Sequence, residues 1–214
     1  MALRGKPHDL FRQKSKICRK YTRISLFAFV TLVVVAMPFM AIVTQGEAAD
    51  TFSFAKVSVH FSPKGGATDT VVQEIGNAKS QILIQAYSFT SAPIAKALID
   101  ASKRGVKIHA VLDKSNETQK YSAATFLFNA GIETQIDDQH AIAHNKIMII
   151  DNTTVITGSF NFTKAAEERN AENLLVLKDA PDLVILYKEH FQIHAMHAHP
   201  YTPGEVSVKN TKKR

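Results

Sequence analysis

The segment from residue 144 to residue 161 is the most informative part of the chain, and it reads HNKIMIIDNTTVITGSFN. It holds parts of two apolar stretches of strand length, residues 143–150 and 154–157. Alternate residues of a strand share a face, so we expect His144 and Lys146 to point the same way. An imidazole is a potential nucleophile, and a neighbouring ammonium neutralises negative charge that develops on oxygen. The pair can therefore serve one cluster of anionic oxygens.

The end of the same segment adds neutral hydrogen-bond donors. Gly158 lets the backbone approach a neighbour closely, and Ser159 and Asn161 supply a hydroxyl and an amide. Asn161 or Thr163 can cap a short helix, whose N-terminus attracts anions. Together with His144, these groups predict a phosphate-binding site that contains a nucleophile and requires no metal.

The sequence on both sides alternates between strand and helix patterns. Strand patterns cover residues 57–61, 81–89, 106–112, 132–136, 143–150, 154–157 and 173–177, and helical patterns cover 68–79, 92–104, 118–129 and 181–196. Alternation at this short spacing is typical of βαβ units. We therefore predict an α/β fold with a mixed, largely parallel β-sheet that is flanked by helices on both faces and preceded by an N-terminal hydrophobic helix.

The composition is that of a globular protein. Among 214 residues, 45% are apolar and 21% are charged, which excludes a wholly disordered or collagen-like chain. The single cysteine, Cys18, excludes a disulfide framework and a thiolate-rich metal site. The net charge of +7 belongs to the two ends, since residues 49–208 carry 14 basic and 17 acidic side chains. The charge is therefore poor support for an extended DNA-binding surface.

The N-terminal part predicts export of the rest of the chain. Residues 1–23 form a basic, cytoplasmic region, and residues 24–43 contain no charge. A helix of this length spans about 30 Å, the thickness of a bilayer core, and its basic flank stays cytoplasmic. Residues 24–48 are thus a signal peptide or a retained membrane anchor. Both alternatives place the domain at 49–200 in the periplasm or outside the cell, and residues 201–214 form a flexible basic tail.

The fixed positions of the first segment form the pattern H-x-K-x4-D-x6-G-S-x-N, which resembles the signature of the phospholipase D superfamily. All six fixed positions match. Residues 85–90 (QAYSFT), 158–167 (GSFNFTKAAE) and 170–173 (NAEN) are similar to the small single-motif bacterial endonucleases called Nuc. The resemblance covers about residues 57–191 and implies a phospholipase D-like fold.

This resemblance implies how the site would work. His144 would attack phosphorus and form a covalent phosphohistidine. Lys146 and Asn161, assisted by Ser159, would hold the non-bridging oxygens. Glu172 would hydrogen-bond the histidine and raise its basicity; a solvated charge at the start of a strand is the alternative.

Two further motif positions are expected to be structural. Asp151 would lie at the far end of the strand from His144 and act as a hydrogen-bond acceptor rather than as an acid or base. Gly158 would permit the close backbone approach. The resemblance implies no cofactor and no metal in the site.

The stoichiometry of the reaction predicts a homodimer. A double displacement through phosphohistidine also requires a general acid for the leaving oxygen and then a base for water. One imidazole cannot fill both roles, and the chain contains a single H-x-K sequence. A two-fold dimer would supply His144 from each subunit to one composite site.

Three functions remain open from the sequence. The first is an exported, metal-independent phosphodiesterase that acts as a nonspecific endonuclease on DNA or RNA. The second is a phospholipase D that hydrolyses phospholipid headgroups, which suits membrane association through residues 24–43. The third is a catalytically idle nucleic-acid-binding factor, against which the intact motif argues.

Two groups outside the motif have alternative interpretations. His190, His194 and His197 recur at helical spacing and can form a metal site, although an exposed helix face is the commoner explanation. Tyr87 and Phe89 follow a strand near the expected site, where they either stack on substrate or fill the core.

Overall fold

One eight-stranded sheet organises the part of the chain that the computed structural model describes, residues 56–119 and 121–204. The elements, in chain order, are β1 (Lys56–Ser62), α1 (Ala67–Asn77), β2 (Gln81–Ala86), α2 (Ala92–Lys103), β3 (Lys107–Asp113), α3 (Ser115–Thr118), α4 (Ala124–Asn129), β4 (Glu133–Asp137), β5 (Lys146–Ile150), β6 (Thr154–Gly158), α5 (Lys164–Glu168), β7 (Glu172–Lys178), α6 (Pro181–His197) and β8 (His199–Pro200). The hydrophobic helix expected at 24–43 and its basic flank lie outside the described residues.

The strand order is β1-β7-β6-β5-β2-β3-β4-β8. Only the pairs β2–β3 and β3–β4 are parallel, and the other five neighbouring pairs are antiparallel. The predicted mixed α/β sheet is confirmed, with a smaller parallel part than we expected. The reason is connection length: three residues, 151–153, join β5 to β6, and so short a turn can link only antiparallel strands. The parallel pairs occur where helices make the crossover.

Helices cover both faces of the sheet, as the sequence predicts. Helices α1, α2 and α4 bury one apolar stripe each on the first face, through Val71, Ile75, Ile94, Leu98 and Leu127. Helix α6 covers the second face with Val184 and Phe191, which belong to the same buried cluster as Leu83 and Val111 of the central strands. Each such buried side chain stabilises the fold by about 1.5–3 kcal/mol.

One rim of the sheet contains the strand ends that carry the sequence motif. Strand β5 runs antiparallel to β2, with Lys146 opposite Ala86, so β5 begins where β2 ends. The parallel strands β3 and β4 end at the same rim, at Asp113 and Asp137. Because β6 and β7 continue the antiparallel order, β6 ends and β7 begins there as well. The two halves of the sequence motif therefore meet at this rim.

Several elements are shorter than the sequence patterns predict. The helix expected at 118–129 is two short helices, α3 and α4, and the strand expected to reach residue 89 ends at Ala86. At the other end of the domain, Tyr201 is only 5% exposed and its hydroxyl lies 2.6 Å from Thr125 Oγ1. This residue, which we placed in the tail, is therefore part of the packed domain. No helix in residues 56–119 or 121–204 has the length and apolar content to cross a bilayer.

Candidate active site

His144 lies in the loop before β5, and not in the strand where the sequence pattern placed it. Its side chain is exposed, and its ring packs against Tyr87 with 4.6 Å between the ring centres. Lys146, the first residue of β5, lies with its Nζ 5.1 Å from the centre of the same Tyr87 ring and donates a hydrogen bond of 2.7 Å to the His144 carbonyl. Tyr87 thus contacts both functional groups, which decides in favour of a position in the site. Phe89, by contrast, is fully buried core.

Lys146 is an unusual cation because it is only 7% exposed. Burial lowers the pKa of its ammonium below the ordinary value of 10.5, while the nearby carboxylates of Glu172 and Asp113 counteract part of that effect. A cation held in this way has lost much of its hydration. It therefore interacts strongly with an anion that reaches it.

Asp113 anchors the loop that carries His144, a role that sequence reasoning missed. Its side chain is 2% exposed, and its two carboxylate oxygens accept hydrogen bonds from the backbone amides of Ser115, at 2.9 Å, and Ala143, at 2.7 Å. Asn116 adds a second anchor, since its Nδ2 donates to the carbonyl of Tyr87 at 2.7 Å. The only sequence signal for these positions was that Asp113 directly follows a buried strand.

The second half of the motif is held by a close pairing with Asn173. The amide of Ser159 donates to Asn173 Oδ1 at 2.9 Å, and Ser159 Oγ accepts from the Asn173 amide at 3.0 Å. This approach requires Gly158, whose φ is +143°, because a Cβ there would lie 2.3 Å from the Asn173 carbonyl oxygen. Ser159 is exposed at the rim. Its hydroxyl proton remains available because its oxygen acts as the acceptor in the Asn173 contact.

Asn161 presents a polar atom without a partner. Its Oδ1 is buried and has no hydrogen bond to any described residue. The chain then turns into α5, where Thr163 Oγ1 accepts from the Ala166 amide at 3.1 Å, so the predicted cap is Thr163 and not Asn161. Asn161 is therefore free of capping and available to a ligand.

Glu172 begins β7 at the same rim, and its side chain is half-buried. Its carboxylate accepts a hydrogen bond of 3.1 Å from Asn170 Nδ2, and it influences the pKa of Lys146. Within the described residues no hydrogen bond joins Glu172 to His144. The hydrogen bond between Glu172 and His144 therefore stays a prediction.

Asp151 lies at the opposite rim, in the turn after β5, with a φ of 51°. Its carboxylate accepts from the backbone amides of Lys79, Ser80 and Gln81 at 2.6 to 3.0 Å, and from the Ser80 hydroxyl. Burial raises the pKa of this carboxyl, but these hydrogen bonds outweigh the effect and hold it below its ordinary value. Asp151 fixes the start of β2 and is far from the chemistry.

Potential metal ligands come together elsewhere. Among the described residues, the group that can converge on one ion consists of Asp137, His140, His194 and His197, and it contains no motif residue. His194 is 6% exposed, so our preferred interpretation of the histidine repeat as an exposed helix face was wrong for this residue. His190, which we included in the repeat, lies outside the group.

Comparison with known proteins gives the family. A family model described as "Cardiolipin synthase, PLD-like domain" matches residues 71–194. The protein named Phospholipase D from Rickettsia conorii is 48% identical over 127 residues, which make up 59% of this chain and 64% of that protein. Mitochondrial cardiolipin hydrolase from Xenopus laevis is 30% identical over 122 residues, 57% of each chain. The match thus spans less than two thirds of these relatives.

Two solved structures resemble this chain in both fold and sequence. Nuc from Salmonella typhimurium, described as a phospholipase D family member, is 42% identical with a TM-score of 0.66, and the match covers 68% of this chain and 97% of that chain. NucT from Helicobacter pylori is 26% identical with a TM-score of 0.63, over 68% of this chain and 99% of that one. The motif, the family model and these structures agree, and the chain therefore belongs to the phospholipase D superfamily.

Proposed function

We propose that the chain is an exported phosphodiesterase that works through a phosphohistidine without a metal in the site, and that it acts as a nonspecific endonuclease. The observation that carries the proposal is the arrangement at one rim of the sheet. There the exposed imidazole of His144 lies next to the buried ammonium of Lys146. The imidazole offers a nucleophile and the ammonium offers a desolvated cation to one anion. The side-chain NH₂ of Asn161, and not its oxygen, would donate to the same anion.

The chemistry follows from these groups. A ring nitrogen of His144 bonds to phosphorus while the bond to the leaving oxygen breaks, and a second imidazole gives that oxygen a proton. The second imidazole then takes a proton from water, whose oxygen attacks phosphorus and breaks the bond to His144. The products are an alcohol and a phosphomonoester, and both imidazoles return to their starting states. Lys146 neutralises the charge on the equatorial oxygens in both steps.

A second copy of the chain is the proposed source of the second imidazole. The edge strand β1 exposes three apolar side chains that alternate and so share a face: Val57 at 46%, Val59 at 47% and Phe61 at 67%. Phe61 lines a depression together with Ser159 and Glu172. This apolar surface is continuous with the site, which favours a homodimer whose interface and composite site adjoin each other.

The nuclease assignment is supported by the form of the site. His144 and Ser159 are exposed at the rim, so a backbone phosphate of a long polymer can reach them without entering a deep cavity. The similarity to Nuc, which covers nearly the whole of that chain, points the same way.

Phospholipid hydrolysis is the second candidate, and two observations favour it. Relatives that match this chain carry the names Phospholipase D and cardiolipin hydrolase. In addition, an apolar groove lies between α2 and α4 and is lined by Ala95, Ile99, Tyr121 and Phe126. The groove also includes Thr90, three residues beyond the ring that contacts His144, and its lining suits acyl chains.

The substrates are distinguished with the full 214-residue chain, purified in a nonionic detergent. Supercoiled plasmid and mixed micelles of phosphatidylcholine or cardiolipin are incubated separately in excess chelator. Nicking without release of a lipid headgroup supports the nuclease, and the reverse result replaces it with the lipase. His144→Ala should lower whichever activity is present by about 10³-fold or more, whereas the matched variant His60→Ala, on β1, should keep it. A reaction that requires added divalent metal would overturn the mechanism.

The dimer is tested by subunit poisoning. Wild-type chains are coexpressed with increasing amounts of His144→Ala chains, and mixed dimers then contain only one nucleophile. Activity should fall as the square of the wild-type fraction, whereas coexpression with Lys188→Ala, altered far from the rim, should leave the specific activity unchanged. If activity falls in proportion to the wild-type fraction, each chain works alone. The same conclusion follows if a protein that sediments as a monomer turns over substrate at the full rate.

A further inference from the structure

A cluster of four potential ligands joins three separate parts of the fold. Asp137 ends β4, His140 lies in the loop that leads to His144, and His194 and His197 belong to the last turn of α6. Their ligand atoms all lie within 4.8 Å of one another. The rings of His140 and His194 are stacked with centres 4.8 Å apart, and His197 lies 5.3 Å from each of them.

Asp137 is at the centre of the cluster. Its side chain is completely buried, and its Oδ2 lies 2.6 Å from His194 Nδ1 and 3.1 Å from His140 Nδ1. Its Oδ1 lies 3.2 Å from His197 Nε2. Three imidazoles thus surround one completely buried carboxyl group.

One of these imidazoles is only loosely held by the protein. His197 Nε2 is buried and lies 3.2 Å from Asp137 Oδ1, but it forms no well-aligned hydrogen bond with any described residue. A buried polar atom without a well-aligned hydrogen bond destabilises the folded state. Bonding to a cation would remove that destabilisation.

We propose that Asp137, His140, His194 and His197 form a binding site for one divalent transition-metal ion, such as Zn²⁺, separate from the phosphodiesterase motif. Three imidazole nitrogens and a carboxylate oxygen are the donors that Zn²⁺ prefers. Two atoms bound tetrahedrally at about 2.0 Å from one ion lie about 3.3 Å apart. The histidine nitrogens that now contact Asp137, at 2.6 to 3.2 Å, would therefore move slightly outward to admit the ion. The more distant ligand atoms, at up to 4.8 Å, would move closer by at most about 1.5 Å. Four protein ligands leave no open position, which makes the site structural and not catalytic.

The proposed metal site lies close in sequence to the loop that carries His144. His140 and His144 belong to the same loop, four residues apart, and Lys114 Nζ also holds the His140 carbonyl at 2.9 Å. A bound ion would fasten this loop to α6, on the face of the sheet opposite α1 and α2. It would thereby stabilise the domain and the position of the catalytic loop without touching the substrate.

The test uses the full chain, purified without a polyhistidine tag, stripped with chelator and then titrated with Zn²⁺ alone. Metal content after dialysis should reach one ion per chain, and the Tm should rise with Zn²⁺ concentration because the ion binds the folded state. His140→Ala and His197→Ala are the informative variants, since these side chains are partly exposed, at 44% and 30%, and their loss leaves the core intact. Each should weaken binding by about 100-fold or more.

His190→Ala is the matched control. Its ring contacts His194 with centres 4.5 Å apart, but it lies outside the ligand group, so this variant should bind one ion with the wild-type affinity. The proposal is wrong if the stripped wild-type chain binds no Zn²⁺ at micromolar concentration. It is also wrong if His140→Ala and His197→Ala bind as the wild type does, or if His190→Ala weakens binding as much as they do. These binding and Tm measurements do not depend on phosphodiesterase activity.

Discussion

Substitution of Gly158 by alanine should damage both the stability and the activity of the protein. The added Cβ would lie 2.3 Å from the Asn173 carbonyl oxygen and 3.2 Å from Leu174 Cα, both of them backbone atoms. Since an ordinary carbon–oxygen contact is longer by about 1 Å, β6 and β7 must separate locally by about that distance. The φ of +143° is also a conformation that side chains rarely adopt, and this costs about 1–3 kcal/mol.

The separation also affects hydrogen bonds. The amides of Ser159 and Phe160 both donate to the Asn173 carbonyl at 3.1 Å, and weakening two such bonds costs about 1–3 kcal/mol. The sum of the two effects is about 2–6 kcal/mol, against a typical domain stability of about 5–15 kcal/mol. The variant should therefore fold with reduced stability. A displacement of Ser159 and Asn161 by about 1 Å should lower kcat about 100-fold.

The assay for Gly158→Ala is urea unfolding followed by circular dichroism, together with turnover of plasmid or phospholipid, whichever the wild type cleaves. Gly76→Ala in α1 is the matched control, because a Cβ there meets no atom within 4 Å. It should leave activity unchanged and stability equal or higher by up to about 1 kcal/mol. A Gly158→Ala protein within about 0.5 kcal/mol and twofold of the wild type would refute the argument from close approach.

Three further predictions concern charged groups. In Asp113→Asn, an NH₂ group replaces one of the two oxygens that accept from the backbone amides of Ser115 and Ala143, so one of these amides loses its acceptor. The substitution should destabilise the chain by about 1–3 kcal/mol and lower kcat more than it changes KM. A kcat equal to that of the wild type would contradict the anchoring role. Vanadate inhibition of the wild type should weaken as the pH rises toward 10.5, the ordinary pKa of a lysine ammonium, because burial lowers the pKa of Lys146 below that value. Any inhibition that Lys146→Arg retains should not change over the same rise in pH. Identical profiles would count against the desolvated ammonium. Asp151→Asn should lower the free energy of unfolding by about 1–3 kcal/mol at neutral pH. Because folding lowers the pKa of Asp151, this difference in stability between the variant and the wild type should shrink as the pH falls below about 4. Urea unfolding measured above and below that pH checks this, and a constant difference would contradict it.

The parts of the fold that depend on local pattern were predictable, and those that depend on strand direction were less so. Apolar periodicity located α1, α2 and α6 within two residues of their observed ends. Periodicity contains no information on which way a neighbouring strand runs, so the insertion of the antiparallel β5–β6 hairpin between β2 and β7 could not be inferred from it.

In the candidate site, too, residues with a recognisable local pattern were predicted, and residues that act through distant contacts were not. The motif residues were recognised because their chemistry is unusual and their spacing is fixed. Asp113 was missed because a single aspartate after a strand is common, and its function arises from a hydrogen bond to Ala143, 30 residues later. The pairing of Asp137 with His194, 57 residues apart, was invisible for the same reason. Helical spacing alone could not show that His194 faces the sheet.

The turn at residues 151–153 lies at the rim opposite the catalytic groups, and Asn152 there is exposed. Lys188 Nζ donates a hydrogen bond to the Asn152 side chain there at 2.8 Å. A fluorophore or a linker to a solid support attached at residue 152 would point away from the reacting groups. Immobilised in this orientation, the protein would present its working edge outward to substrates as long as a plasmid or as broad as a vesicle.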